Sequence, residues 1–518
     1  MKKYLLLSVI LVGALMGCST SKKAVTGQSQ KKSIVILYEN DVHGQIDGYP
    51  KLAGLRDAIS QSDTAWTAVV SNGDYLSGGV ACSLNKGMYI ATLMNSVGYD
   101  AVTLGNHEYD FGMPRLLELL PTLNTTPVCV NLYEYQGTKP MMAPYIIKMY
   151  GDKRVAFVGI STPESMESEA YAFFDEKGKQ LYDLHTDEAY SMVQNAVDEA
   201  RGKGADYVVV LAHLGEENEE CGIGSYGLVA ATRGIDVVLD GHTHHVLPRK
   251  EIANLDGKMV PISQTGTQFA NYGKLVITKD GKFYTTLVPA AENMYSSEKV
   301  AATLADVKAK INEQTSRQLC RSDFELTIND DNGERRVRNG ETNLGDLVAD
   351  AYRYITKAEI GLTNGGGLRN SINAGLITYG DVLNTLPFEN YMIKMEATGQ
   401  QIMTMLEECT SQYPKEDGCF PHVSGMRYTV HGKSHKVTDV EVHDPATNEY
   451  KPLDLQRRYT IGTIDYTLKG HIMHDCPQLP TESLLYSECV AKYLESFAGG
   501  VVSDDYAKPQ GRITIVED

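Results

Sequence analysis

Hydrophobic residues along the chain fall into two regimes separated by one polar helical stretch. From Ser33 to about Ala290, short β-branched runs alternate with helical patterns, which predicts a layered α/β domain. The runs are Ile34–Tyr38, Ala68–Ser71, Ala101–Leu104, Val155–Ile160, Tyr207–Leu211 and Val237–Leu239. Glu292 to about Thr315 is polar, rich in Ala, Lys and Glu and free of Gly and Pro, so it predicts a helix joining two domains. A second mixed α/β domain runs from about Leu319 to the C-terminus. Amphipathic helices are expected there over Asn343–Tyr354 and Thr398–Cys409, with apolar runs at Glu359–Thr363 and Tyr459–Ile464. The expected division is 33–291 for the first domain, 292–318 for the joining helix and 319–518 for the second domain.

The first residues follow a different pattern. Lys2 and Lys3 precede an apolar run from Leu5 to Met16, short for a bilayer span but suited to the core of a secretory signal. It ends in Leu15-Met16-Gly17-Cys18, which resembles a bacterial lipobox; that implies removal of residues 1–17 and lipidation of the Cys18 thiol. The alternative is a plain signal peptide with an incidental cysteine. Ser19 to Lys32 is rich in Ser, Thr, Gln and Lys, so 18–32 reads as a flexible tether. No later segment is long and apolar enough to cross a membrane, so lipid alone would hold the exported protein to the bacterial cell envelope, with the outer membrane as the expected site.

Composition narrows the chemistry. Of 518 residues, 42% are hydrophobic and 22% charged, as in ordinary globular proteins. The formal net charge of −18 argues against a nucleic-acid polymer as partner, because phosphate backbones are gripped by basic surfaces. An acidic chain that handles phosphate must focus positive charge locally, with metal ions or a few arginines. Eight cysteines follow Cys18 and none forms a CxxC pair, which argues against a zinc ribbon. Cys409/Cys419 and Cys476/Cys489 are close enough in sequence for disulfides, with free buried thiols as the alternative.

Five of the runs lead into polar clusters carrying metal-binding residue types. They are Asn40-Asp41-Val42-His43, Asn72-Gly73-Asp74, Gly105-Asn106-His107-Glu108, Ala212-His213 and Asp240-Gly241-His242-Thr243-His244. In open α/β sheets, side chains from separate loops converge at the carboxyl ends of the strands. Any one cluster alone is commonplace; five in this order, each just past a strand, point to a shared site. Carboxylate, carboxamide and imidazole together suit Mn, Zn, Fe, Co or Ni better than calcium. Gly73, Gly105 and Gly241 are expected where the chain turns sharply to aim a side chain inward.

The order DxH, GD, GNHE, H, GHxH resembles that of the calcineurin-like metallophosphoesterases, and in particular the two-domain 5'-nucleotidase family. The resemblance runs from about Ser33 to the C-terminus and is stronger in the first domain. It implies a calcineurin-like layered sandwich, a linker helix and a C-terminal mixed α/β domain. It also implies two divalent metal ions, with Mn, Zn or Co expected. Asp41, His43 and His244 would hold the first, Asn106, His213 and His242 the second, and Asp74 would bridge both, offsetting the repulsion of two adjacent cations. His107 would steady the transferring phosphoryl group and help protonate the leaving oxygen, with Asp110 orienting its ring. Asp110 could instead cap a helix.

In the second domain Asn364-Gly365-Gly366-Gly367-Leu368-Arg369, Arg338 and Leu386-Pro387-Phe388 match segments that bind phosphate and stack the base in that family. The resemblance implies phosphate contacts from Arg338 and Arg369, with Arg335 a further candidate, close approach of backbone at Gly366, a polar contact from Asn364 and an aromatic face from Phe388. The family's GGDG-aromatic segment is altered here: around Phe497–Tyr506, Tyr506 would take the aromatic place and Asp504 the acidic one. The expected activity is hydrolysis of nucleoside 5'-monophosphates to nucleoside and phosphate. The same chemistry on UDP-sugars, cyclic nucleotides or other small phosphate esters is the alternative, and a non-catalytic surface-binding protein the third.

Overall fold

The computed structural model describes residues 32–517 except 77, 176–177, 218–221, 389, 470–472, 474 and 482–483. The lipobox, Cys18, the tether up to residue 31 and Cys221 lie outside the described residues. Among the described residues no helix is long and apolar enough to cross a membrane.

Two six-stranded sheets form the first part of the chain. One runs Phe283–Pro289, Asn271–Ile277, Ser33–Glu39, Ala65–Ser71, Ala101–Val102, Thr126–Pro127; the other Val246–Ala253, Met259–Thr265, Val237–Leu239, Tyr207–His213, Lys153–Ser161, Tyr145–Tyr150. Alternation along Ser33–Glu39 explains the layering. Ile34, Ile36 and Tyr38 join Val70, Phe157, Val209, Leu211 and Leu239 in a core between the sheets. Val35 and Leu37 point the other way, into a core shared with the helices Tyr49–Gln61, Met88–Val97 and Gly112–Leu119. The second sheet packs its outer face on Ala189–Gly202 and Ser225–Ala230 through Val158, Val208, Val193 and Leu228. The result is a helix–sheet–sheet–helix sandwich.

The central strands are parallel, which fixes where the site lies. Glu39 pairs with Ser71 and Ser71 with Val102 in one sheet; Ser161 pairs with His213 and Leu239 with Leu211 in the other. All these carboxyl ends therefore open on one edge of the sandwich.

The helix expected from Glu292 begins at Glu298, after Ser297, and ends at Thr315. It lies on the first helix layer, burying Val300, Leu304 and Val307, while Ser297 N–H donates to Pro50 O (2.9 Å). Beyond it, a five-stranded sheet runs Pro421–Ser424, Ile360–Asn364, Arg458–Ile464, Met392–Thr398, Gln478–Leu479. Ile360–Asn364 and Arg458–Ile464 are parallel neighbours, so Asn364 and Ile464 end on the same edge. The helix expected to start at Thr398 starts one residue later. Thr398 is its cap, accepting from Gln401 N–H while the Gln401 side chain accepts from Thr398 N–H, a reciprocal box that closes two free backbone donors.

Among the described residues Cys129, Cys320, Cys409, Cys419 and Cys476 are free thiols. The Cys476/Cys489 pairing is corrected: Cys489 is packed in the cluster around the helix Asn343–Thr356, and Cys476 in a separate cluster with Met395 and Val423. Cys409 and Cys419 do adjoin, as hydrogen-bonded thiols.

Candidate metal centre and substrate cleft

Five of the seven expected metal ligands have left-handed backbone: Asp41 (φ 54°), His43 (φ 45°), Asp74 (φ 59°), His242 (φ 87°) and His244 (φ 59°). Such conformations cost roughly 1–3 kcal/mol each and persist only where the surroundings impose them. The loops are zipped to one another. Asp41 N–H donates to Gly73 O and His43 N–H to Asp74 O (both 3.1 Å); His242 N–H donates to Asp41 Oδ2 (3.0 Å) and His107 N–H to Asp74 Oδ1 (2.9 Å).

Two of the three glycines serve a different purpose from the sharp turns expected of them. Gly73 has φ 98°, but Gly105 and Gly241 do not need left-handed backbone. A Cβ at Gly105 would overlap Asp74, and one at Gly241 would come within 2.8 Å of His213 Nδ1 and 3.0 Å of Asp41 Oδ2. Those glycines are absent side chains where ligands must pass.

Ligand atoms of Asp41, His43, Asp74 and His244 all lie within 4.8 Å of one another. Asp74 Oδ2 sits between the two expected sets, 3.7 Å from His43 Nε2 and 3.2 Å from His213 Nε2. The ring of His242 is 5.3 Å from that of His213, and its Nδ1 faces Asn106 Oδ1 at 3.1 Å.

The donor set fits cations. His213 is fully buried; Nδ1–H donates to Asn72 O (2.8 Å), so Nε2 turns its lone pair on Asp74 and Asp41 and has no hydrogen-bond partner. His242 Nε2–H donates to Glu164 Oε2 (2.8 Å), leaving Nδ1 against another acceptor. His43 and His244 oppose Nε2 atoms at 2.9 Å. Lone pairs converging on carboxylates repel unless protons or metal ions lie between them. Burial alone would lower the His213 pKa, but the carboxylates of Asp74 and Asp41 raise it to about 10. Burial likewise opposes ionisation of Asp74, yet His213, His107 and His43 hold its carboxyl well below the usual range. Asp41, His43, His244, Asn106, His213 and His242, with Asp74 between them, thus match two divalent ions, whose identity is open.

His107 lies beside this cluster, its ring 5.1 Å from that of His43. Burial opposes its protonation, but Asp74 and Asp110 outweigh that and raise its pKa well above the ordinary imidazole value. Asp110 Oδ2 accepts from His107 Nδ1–H at 3.0 Å. Asp110 is no N-cap; the next helix, Gly112–Leu119, is preceded by Phe111 at that position. Glu108 builds the loop: it is buried and accepts N–H groups of Asp74, Tyr75, Leu76 and Gly105 at 2.7–2.8 Å.

Some contributors escaped the sequence reading. Asn40 holds Asp41 Oδ2 (2.6 Å) and fastens its loop to Gly266 O (2.8 Å). Glu164 orients His242. It follows Val155–Ile160, the one run of the first domain to which no cluster was assigned, so its place past a strand was the available signal.

A cleft of about 420 Å³ opens beside His107 and Asp110 and is walled by both halves of the chain, with Glu169 and Tyr171 on one side and Arg338, Asn364, Gly366, Arg369, Phe388, Asn390 and Tyr466 on the other. The Arg338 Nε is buried and unpartnered; burial and the nearby charges of Arg335 and Arg369 lower its pKa. The guanidinium groups of Arg338 and Arg369 on one wall favour an anion. The Arg369 guanidinium stacks 5.6 Å from the Phe388 ring, which is 47% exposed and open to a planar ligand.

Three expectations are corrected. Tyr506 is 4% exposed, its hydroxyl donating to Asp350 Oδ2 (2.6 Å) and paired with Tyr493 Oη (2.8 Å), so it supports the core behind the helix Asn343–Thr356 rather than the cleft. Asp504 is an exposed residue in the same short 3₁₀ turn. Arg335 pairs with Glu416 outside the cleft wall. Tyr466, two residues past the strand Arg458–Ile464 and 48% exposed, shares the wall of Phe388, while the Tyr171 ring lies on the side of His107.

Residues 322–476 match the family model described as 5'-nucleotidase, C-terminal domain, and residues 8–262 match one described as bacterial capsule synthesis protein PGA_cap. The chain is 25% identical over 489 residues to the trifunctional nucleotide phosphoesterase protein YfkN of Bacillus subtilis, covering 84% of this chain. It spans only 32% of that protein's length, and 42% of the length of the endonuclease YhcR of the same organism. With a 5'-nucleotidase of Vibrio cholerae it shares 26% identity over 514 residues, 89% of each chain. The fold is similar to that of a 5'-nucleotidase precursor from Thermus thermophilus, with a TM-score of 0.61 at 24% identity over 94% of this chain and 100% of the other. Fold and site define a layered α/β chain with a calcineurin-like first domain and a cluster of donors suited to metal ions. Within that class the chain is similar to 5'-nucleotidases, and residues 322–476 match the C-terminal domain of that family.

Proposed function

We propose that this chain hydrolyses nucleoside 5'-monophosphates to nucleoside and phosphate. The observation that carries this reading is the cleft, which sets His107 and Asp110 opposite Arg338, Arg369 and two exposed aromatic rings. In this reading Asp41, His43 and His244 hold one divalent ion and Asn106, His213 and His242 the other, with Asp74 shared. Ions held there supply Lewis acidity, acidifying water and neutralising phosphoryl charge. The cationic His107 ring, fixed by Asp110, donates to the phosphoryl oxygens and passes a proton to the departing ribose oxygen. Arg338 and Arg369 take the phosphate charge, while Phe388 and Tyr466 hold the base. Residues 33–291 form the catalytic domain, 292–318 the joining segment and 319–518 the substrate clamp.

A comparison of substrates tests the reading. With Mn, Co or Zn present, kcat/KM for AMP is expected to exceed that for p-nitrophenyl phosphate by about tenfold or more, the worth of one stacked base. A UDP-sugar or a cyclic nucleotide cleaved faster than AMP would transfer the assignment to that ester.

We further infer that residues 1–17 are removed on export and that a lipid on Cys18 anchors the protein to the envelope. Cys18→Ser is expected to release a soluble form into the periplasm or medium. Retention of that variant in salt-washed membranes would overturn the lipid anchor.

A further inference from the structure

We propose that Cys409 and Cys419 are a reversible disulfide pair that sets the substrate affinity of the adjoining cleft, a regulation resting on the phosphate-ester reading above. Cys409 is buried in the last turn of the helix Gly399–Thr410, and Cys419 is exposed in the loop before Pro421–Ser424. Their thiols are hydrogen-bonded to each other and both line a cavity of about 160 Å³, together with Met405 and Met473. Asn364 and Tyr466 line this cavity and the substrate cleft alike, so the pair sits against the back of the cleft wall.

The loop between the two cysteines holds the anion-binding segments in place. Gly418 O accepts from Gly366 N–H (2.8 Å) and Asn364 Nδ2 (3.0 Å). Asp417 N–H donates to Arg338 O (2.9 Å), and Gly365 N–H to Phe420 O (2.8 Å). A bond from Cys419 to the helix end would therefore pin the backbone that positions Arg338 and the glycine segment. Only one partner is accessible, and it is the better nucleophile: the hydrogen bond from Cys409 outweighs burial and brings the Cys419 thiol down to about 7.

The oxidant is a small-molecule disulfide such as oxidised glutathione. The Cys419 thiolate attacks one of its sulfurs, forming a mixed disulfide and releasing one thiolate. Cys409 then loses its proton and attacks Cys419 Sγ, releasing the second thiolate. Two protein thiols are oxidised, one disulfide is reduced to two thiols, and a dithiol reverses the exchange.

The test uses the full chain with its metals. Treatment with oxidised glutathione is expected to yield a peptide cross-linked between Cys409 and Cys419 and to raise the thermal midpoint by a few degrees. It should also lower KM for AMP by about three- to tenfold with kcat nearly unchanged, since pre-ordering a binding loop removes part of the cost of binding. Dithiothreitol should reverse all three effects. Cys419→Ser, which leaves the buried core intact, should abolish them, whereas Cys476→Ser should leave them. Absence of the cross-linked peptide overturns the pair, and a cross-link that leaves KM unaltered for both AMP and p-nitrophenyl phosphate overturns its control of the cleft. Failure of AMP as a substrate would instead count against the nucleotide reading, because the peptide and the midpoint are read without substrate and KM can be followed on p-nitrophenyl phosphate.

Discussion

Asp74→Asn is expected to reduce phosphate release by about three orders of magnitude or more, equivalent to about 4 kcal/mol of lost transition-state stabilisation. The carboxylate stands between the two ligand sets, 3.2 Å from His213 Nε2 and 3.7 Å from His43 Nε2, so its neutral isostere weakens both. Metal analysis should find close to two divalent ions per parent chain and fewer than one per variant chain. EDTA should abolish the activity of the parent, with Mn, Co or Zn restoring it. Asp110→Asn separates metal binding from proton handling: its metal content should match the parent, while its rate falls by about 10²–10⁴-fold. Full activity in chelator, or an unchanged metal content in Asp74→Asn, would remove the two-metal reading.

Phe388→Ala is expected to lower kcat/KM for AMP by about one to two orders of magnitude, since stacking a base on an aromatic face contributes roughly 1–3 kcal/mol. The same variant should cleave p-nitrophenyl phosphate within about threefold of the parent, because that ester has no base to hold and forfeits only the modest cation–π contact to Arg369. Arg369→Ala should harm both substrates about equally, by roughly tenfold or more, since both present the phosphate that a charged hydrogen bond holds. Equal losses on the two esters in Phe388→Ala would reduce that ring to packing and leave the nucleotide assignment without its main support. Tyr466→Ala provides the matching measurement on the second ring.

The two halves of the site differ in how far the sequence discloses them. Asp41, His43, Asp74, Asn106, His107, His213, His242 and His244 are readable because each stands on or just past a strand whose β-branched run is itself visible. Parallel pairing then brings them to one edge without further information. Glu164 obeys the same rule, standing just past Lys153–Ser161, but acts by orienting His242 and lies three residues beyond the strand in a stretch without histidine. The base-binding wall is less regular. Tyr506 matched the expected residue type, yet Asp350 and Tyr493 satisfy its hydroxyl within the core, and Tyr466, at the start of the short helix Tyr466–Lys469, lines the cleft. Cys476 and Cys489 are near in sequence but are separated into two cores.

By itself the sequence determined the layered α/β class, the positions of the principal strands and helices, and the residue types gathered for metal chemistry, because period-two and period-3.6 burial and strand-end loops are local properties. The tertiary structure decided the rest. It placed Asp74 between His43 and His213, gave Gly105 and Gly241 their reason as spaces left for ligands, and chose Tyr466 over Tyr506 as the ring beside the phosphate site. Those outcomes depend on contacts between residues far apart in the chain, whose close approach is fixed by how the sheets and helices pack and by which polar groups must find partners once buried.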